Sequence, residues 1–87
     1  MREEDNSISI TFRSFVPPPD PKDDFPLGKP VPLRVSPGTP VGRLLERIFA
    51  ERAKQIGMVV INGKAADGNV LLGEGDRVDV YELLGGG

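Results

Sequence analysis

Only one stretch of this 87-residue chain carries the apolar spacing of an α-helix, and that limits what the chain can fold into. Val41, Leu44, Leu45, Ile48, Phe49, Ala53 and Ile56 recur at helical spacing, with Arg43, Glu46, Arg47, Glu51, Arg52 and Lys54 on the other side. Thr39 is placed to act as N-cap, and Pro40 suits the first helical position because its φ is already fixed. Gly57 reads as the C′ residue. One helix has one apolar stripe to bury. A chain this short has room for a single core, so the stripe must be covered by one sheet, a two-layer α+β arrangement.

The strands are legible around that helix. Ser7 to Phe15 alternates, with Ile8, Ile10 and Phe12 on one face and Ser9, Thr11 and Arg13 on the other. Val31, Leu33 and Val35 alternate again and predict a second strand antiparallel to the first. Pro32 lacks an N–H, so one side of that strand should be a sheet edge. Met58-Val59-Val60-Ile61 is a continuous apolar run, expected as a central strand buried on both faces or nearly so. Asn62-Gly63 signals a hairpin turn and nothing more, with Lys64 to Ala66 as a short return strand. Val70, Leu71 and Leu72 are expected to tuck under the core, in a loop punctuated by Asp67-Gly68, Gly73 and Gly75-Asp76. Arg77 to Leu84 predicts the last strand, with Val78 and Val80 inward and Asp79 and Tyr81 outward. Leu83 and Leu84 cannot both be buried on a regular strand; one of them either caps the core or belongs to a docking patch.

The order is strand, strand, helix, strand, short strand, strand. A mixed sheet of four to five strands packed on one main helix in this order is the β-grasp, the ubiquitin-like fold. We place the domain at residues 7–84, after a frayed N-terminus at 1–6 and before a flexible glycine tail at 85–87. Residues 16–30 form a Pro-rich loop insertion holding Pro17, Pro18, Pro19, Pro21, Pro26 and Pro30. So many prolines forbid helix and deny a sheet its donors. Pro18-Pro19-Asp20-Pro21 fits a PxxP ligand and Asp20, Asp23 and Asp24 could meet a hard cation, but we read the segment as a stiff, solvated acidic loop.

Composition removes most chemistries. The chain has no Cys, no His and no Trp, so disulfides, thiol nucleophiles, imidazole bases and nearly all transition-metal sites are absent. A formal net charge of −2 points away from nucleic acid and anionic membranes. No stretch has the length and apolarity of a membrane span, and Met1 to Ser7 has no apolar signal region, so a cytoplasmic location is expected.

The C-terminal third carries a resemblance. Val60-Ile61-Asn62-Gly63-Lys64, then Gly75-Asp76-Arg77-Val78-Asp79-Val80-Tyr81, then Gly86-Gly87 at the chain end resemble the ThiS/MoaD family of ubiquitin-like sulfur carriers. That family includes the carrier of thiazole synthesis and the small subunit of molybdopterin synthase; the likeness runs from Ser7 to Gly87. It implies a carrier and not an enzyme. A ubiquitin-activating-type adenylating enzyme, using ATP and magnesium, would activate the Gly87 carboxylate; a sulfur donor would convert it to a thiocarboxylate, delivered to a sulfur-accepting synthase subunit. Gly86 would be the diglycine partner, and Gly85 is an additional glycine. Tyr81 falls where such carriers often show an outward apolar or aromatic residue, and Tyr81, Leu83, Leu84 and Arg13 are the docking candidates. Arg13 stands where some carriers show an apolar residue, which points to a more polar partner surface. The longer chain and the neighbourhood of Tyr81 look more like the molybdopterin branch than the thiazole branch. Two alternatives share the fold: a protein modifier joined to lysines through Gly87, and a non-covalent ubiquitin-like interaction module.

The chemistry gives an independent reason for the tail. A carboxylate is a poor acyl donor until adenylation supplies a leaving group. Glycine, with no Cβ, lets a narrow channel in a partner enclose the backbone.

Overall fold

Alternation along the first strand assigns the two faces of the sheet. A computed structural model describes residues 6–17 and 25–83. In it β1 (Ile8–Ser14) turns Ile10, Phe12 and Ser14 into the core and leaves Ser9, Thr11 and Arg13 on the opposite face. β2 (Val31–Val35) pairs antiparallel with β1, with Pro32 opposite Thr11. α1 (Val41–Phe49) follows, then a 3-10 helix (Ala50–Gln55). β3 (Ile56–Ile61), β4 (Lys64–Ala66) and β5 (Arg77–Glu82) complete one five-stranded sheet in the order β2-β1-β5-β3-β4. β1 and β5 are parallel and the other pairs antiparallel. This mixed sheet with one α-helix on a single face is the expected β-grasp. β2 is an edge strand, as Pro32 requires.

The helix supplies Val41, Leu44, Leu45 and Phe49 to the core, against Ile10, Phe12, Val35, Ile61, Val78 and Val80. Its first turn differs from expectation. Pro40, with φ −65° and ψ 140°, is the N-cap, and the Thr39 hydroxyl donates instead to Ser36 O at 2.6 Å. The helix-start amides of Val41 and Gly42 donate to the carbonyls of Val70 (2.8 Å) and Gly68 (2.9 Å). Backbone of the 67–72 loop thus satisfies donors that a side-chain cap would otherwise take.

The far end of the helix also differs. α1 stops at Phe49, and Ala50 adopts φ 51°, ψ −121°. The chain continues as the 3-10 helix, so Ala53 and Ile56 reach the core from tighter turns and from the start of β3. Apolar spacing alone does not separate an α-helix from an α-helix ending in 3-10 turns. Gly57 is therefore no C′ residue; it lies in β3, at a bulge between Ile56 and Met58. A Cβ there would sit 2.7 Å from Leu83 Cα and 3.0 Å from Glu82 O, so close approach of β5 explains this glycine.

Two apolar runs are less buried than their composition suggests. Ile61 is buried and Val59 packs on the core, but Met58 is 51 % exposed because only one face of β3 is covered. Of the loop residues, Leu72 alone is buried; Val70 and Leu71 are exposed. Asn62-Gly63 makes the hairpin turn, both residues with positive φ, and Asn62 does more than turn the chain. Its side chain accepts from the Arg77 amide (2.9 Å) and donates to Asp76 Oδ1 (2.9 Å), clamping the hairpin to the turn before β5.

Two described residues of the Pro-rich insertion, Val16 and Phe25, reach the core, while Pro26, Leu27, Lys29 and Pro30 are exposed. Val16 is fully buried, its amide bonded to Ser14 Oγ at 2.9 Å. Phe25 meets Phe12 and Phe49 edge-on, at centroid distances of 5.6 and 6.1 Å. The PxxP segment and Asp20, Asp23 and Asp24 lie outside the described residues.

Two stability outcomes follow. Ala50→Gly relieves a backbone conformation that suits glycine and should raise stability by about 1 kcal/mol in urea denaturation. Phe25→Ala should lower it by about 3 kcal/mol in the same assay, because the ring closes the core beside Phe12 and Phe49.

Candidate functional site

The face of the sheet that α1 leaves bare is organised in rows by the strand registers. Nearest the C-terminal end of β5, Phe15, Tyr81 and Met58 lie side by side: Phe15 N donates to Val80 O at 2.9 Å, and Met58 pairs with Tyr81. In the next row Arg13 pairs with Asp79, and Asp79 with Val60. Beyond it, Pro32, Thr11 and Arg77 align, and then Arg34 and Ser9. Polarity therefore runs along the strands, from apolar at the exit of β5 to cationic and hydroxylic at the other end.

The apolar row is built around a stacked pair. The Phe15 and Tyr81 rings lie 5.2 Å apart with 14° between their planes, an offset stack that fixes both side chains. The Arg13 guanidinium carbon lies 5.4 Å from the Phe15 centroid, within cation–π range. Gly28 backs the same ring: a Cβ there would come within 3.0 Å of Phe15 Cε1, and its φ of +72° favours glycine independently. Its amide donates to Ser14 O at 2.7 Å, so the return of the Pro-rich loop props the stack.

Arg13 is held from below. Its Nε donates to Asp79 Oδ1 at 2.9 Å, and Asp79, outward by parity, is only 4 % exposed. Burial of a carboxylate is costly unless it is paired, and Arg13 supplies the pairing. Among the described residues the guanidinium makes no other hydrogen bond, and 36 % of the side chain is exposed.

The docking candidates thus fare differently. Arg13 and Tyr81 are brought together through Phe15, which strand parity from Arg13 could have placed on this face but whose pairing with Tyr81 required the sheet order. Met58 joins them through β3. Leu83 is 56 % exposed beyond the apolar row and donates its amide to Gln55 O at 2.7 Å, so it does not cap the core. Leu84, Gly85, Gly86 and Gly87 lie outside the described residues. Among the described residues no three acidic side chains gather to hold a metal. What the arrangement offers is a rigid, partly apolar binding surface with one oriented cation.

Arg13→Ala leaves the buried Asp79 carboxylate without its partner and should cost about 2 kcal/mol in thermal or urea unfolding. Arg13→Met combined with Asp79→Leu should recover most of that loss, since an apolar pair of similar volume removes the unpaired charge.

No family model matches the chain, and no curated protein matches it. Solved structures do. The solution structure of the Haloferax volcanii HVO 2177 protein aligns with a TM-score of 0.64 at 18 % identity, covering 100 % of this chain and 93 % of that one. A ubiquitin of Caldiarchaeum subterraneum aligns with a TM-score of 0.60 at 17 % identity, over 93 % of this chain and 99 % of its own. A de novo protein designed on ubiquitin gives the same TM-score and identity, over 93 % and 94 %. At these identities the likeness establishes the fold: the chain is a small protein of the ubiquitin-like β-grasp class.

Proposed function

We propose that this protein is a sulfur carrier that works through the carboxylate of Gly87. A ubiquitin-activating-type enzyme adenylates that carboxylate: its oxygen attacks the α-phosphorus of ATP, and magnesium pyrophosphate leaves. A persulfide then attacks the acyl carbon, AMP leaves, and a thiol cleaves the resulting S–S bond to free the thiocarboxylate. The partners supply the magnesium, the base and the sulfur, so a carrier without His or Cys lacks nothing it needs. A synthase subunit takes the sulfur, in molybdopterin-type rather than thiazole synthesis, in the cytoplasm. Tyr81, Leu83, Leu84 and Arg13 are the residues we assign to docking, joined by Phe15 and Met58. The carrier binds no cofactor of its own and catalyses nothing alone.

The observation that carries this reading is the root of the tail. β5 is hydrogen-bonded on both sides, to β1 and to β3, and delivers the chain past Glu82 beside the Phe15–Tyr81 stack. A rigid strand followed by Gly85-Gly86-Gly87 suits a carbonyl that must enter another protein's active site. Likeness to an archaeal ubiquitin favours a second reading, in which Gly87 is joined to lysine amines. Both readings share the acyl-adenylate.

Intact-mass spectrometry separates them. The native protein should end at Gly87. Incubated with the adenylating enzyme of the same cell, ATP, magnesium and a sulfur donor, it should gain the mass of one oxygen replaced by sulfur, and deletion of Gly87 should abolish the change. A terminus that stays a plain carboxylate under those conditions rejects the carrier. Conjugates to lysine that vanish with Gly87 deleted support the modifier instead.

A further inference from the structure

The last strand ends over a glycine and under a helix carbonyl. β5 runs out where Glu82 pairs with Ile56, and the next amide, that of Leu83, leaves the ladder. It donates instead to Gln55 O at 2.7 Å, a short N–H···O bond. Gln55 closes the 3-10 helix, where no further turn supplies donors for the last carbonyls. Ala50, with its φ of 51°, turns the chain out of α1 into that helix and so leads Gln55 to Leu83. Gly57 lies against the same point. Its φ is not positive, so contact alone excludes a side chain there. A Cβ would stand 2.7 Å from Leu83 Cα and 3.0 Å from Leu83 N, the tightest approach at any described glycine. The Leu83 side chain adds little to the hold, being 56 % exposed. Backbone therefore fixes the place where the chain leaves the sheet. Four residues of sequence follow Leu83, and extended they span at most about 14 Å.

We propose that the Gln55 carbonyl and Gly57 form a latch on the root of the tail, and that Gly57 is a positioning residue for activation of Gly87. The inference rests on the adenylation step of the carrier reading. Closed, the latch starts the free tail at Leu84 and fixes the direction in which it leaves. Open, it frees Leu83 as well, and one more residue must be ordered each time the carboxylate enters the adenylating enzyme's site. The latch touches no reacting atom. It acts through the backbone of Leu83, so its loss separates docking of the domain from delivery of the tail. Without a Cβ, Gly57 lets the 3-10 helix and the last strand meet closely enough for the bond to form.

The test makes two measurements on the full-length protein. Amide hydrogen exchange by NMR reads the latch. Pyrophosphate release by the purified adenylating enzyme of the same cell, at varied concentrations of this protein, reads activation. In the native protein the Leu83 amide should exchange about tenfold more slowly than an unstructured one. Gly57→Ala pushes Leu83 off Gln55 and should remove that protection, while amides within the β5 ladder keep theirs. Its kcat should fall about fivefold, as expected for ordering one further residue, with a far smaller change in KM. Gly42→Ala crowds Gly68 O at 3.0 Å, at the start of α1, and should leave Leu83 exchange, kcat and KM nearly unchanged. If Gly57→Ala does not fold, Leu83→Pro set against Leu83→Ala isolates the amide, since both lose the leucine side chain. The proline variant should then be about fivefold slower in kcat than the alanine one. Unprotected exchange at Leu83 in the native protein overturns the latch. Lost protection with unchanged kcat, or an equal fall in kcat from Gly42→Ala, overturns the positioning role. No pyrophosphate from the native protein rejects the carrier reading and the positioning role with it, while the exchange data still report whether the latch exists. A thiocarboxylate formed beside latch-independent kcat keeps the carrier and rejects the role of Gly57.

Discussion

A nine-residue helix is too small to cover a five-stranded sheet, and much of this structure answers that shortfall. α1 is about 14 Å long, whereas five strands span about 19 Å across. The uncovered part of the core face has to be closed by something else. Val16 and Phe25 close it from the Pro-rich insertion, Leu72 closes it from the loop before β5, and Ala53 and Ile56 close it where the 3-10 helix meets β3. In the Phe12–Phe25–Phe49 cluster the insertion meets a strand and the helix. The insertion is thus a working part of the core at both described ends.

The same shortfall marks the limit of what the sequence revealed. Alternation at Ile8, Ile10 and Phe12, the Pro32 edge, the apolar stripe from Val41 to Phe49 and the Asn62-Gly63 turn are local signals, and each appears in the structure as the residues imply. Sequence and structure part where burial depends on a neighbour far along the chain. Met58 and Leu71 are apolar but exposed, since no described residue covers that face of β3 or that side of the loop. Helical spacing puts Gly57 at a helix end, whereas the reason for this glycine is the backbone at Leu83. Thr39 has the chemistry of an N-cap, but carbonyls of Gly68 and Val70 were already there. The docking candidates show the same division. Tyr81 and Arg13 were legible by parity, while the stack with Phe15 and the bond to Asp79 needed the parallel pairing of the first strand with the last.

That pairing also explains why a buried acid is tolerated on the open face. Asp79 sits in the central strand, between Arg13 of β1 and Val60 of β3. An isolated carboxylate there would be destabilising. With Arg13 laid over it, the pair converts a flexible arginine into a positioned one. What is lost in desolvation is returned as orientation, and recognition of planar anionic groups depends on orientation.

The position of β5 has a mechanical side. A partner that draws the chain beyond Leu83 into a narrow channel pulls along the axis of β5. Its neighbours β1 and β3 hold it by ladders of hydrogen bonds that run across that axis, so the load falls on many bonds in shear and cannot peel them singly. The Phe15–Tyr81 stack lies at the point where the load enters. The domain can therefore act as an anchor for whatever follows Leu83, the sheet keeping its register under the load.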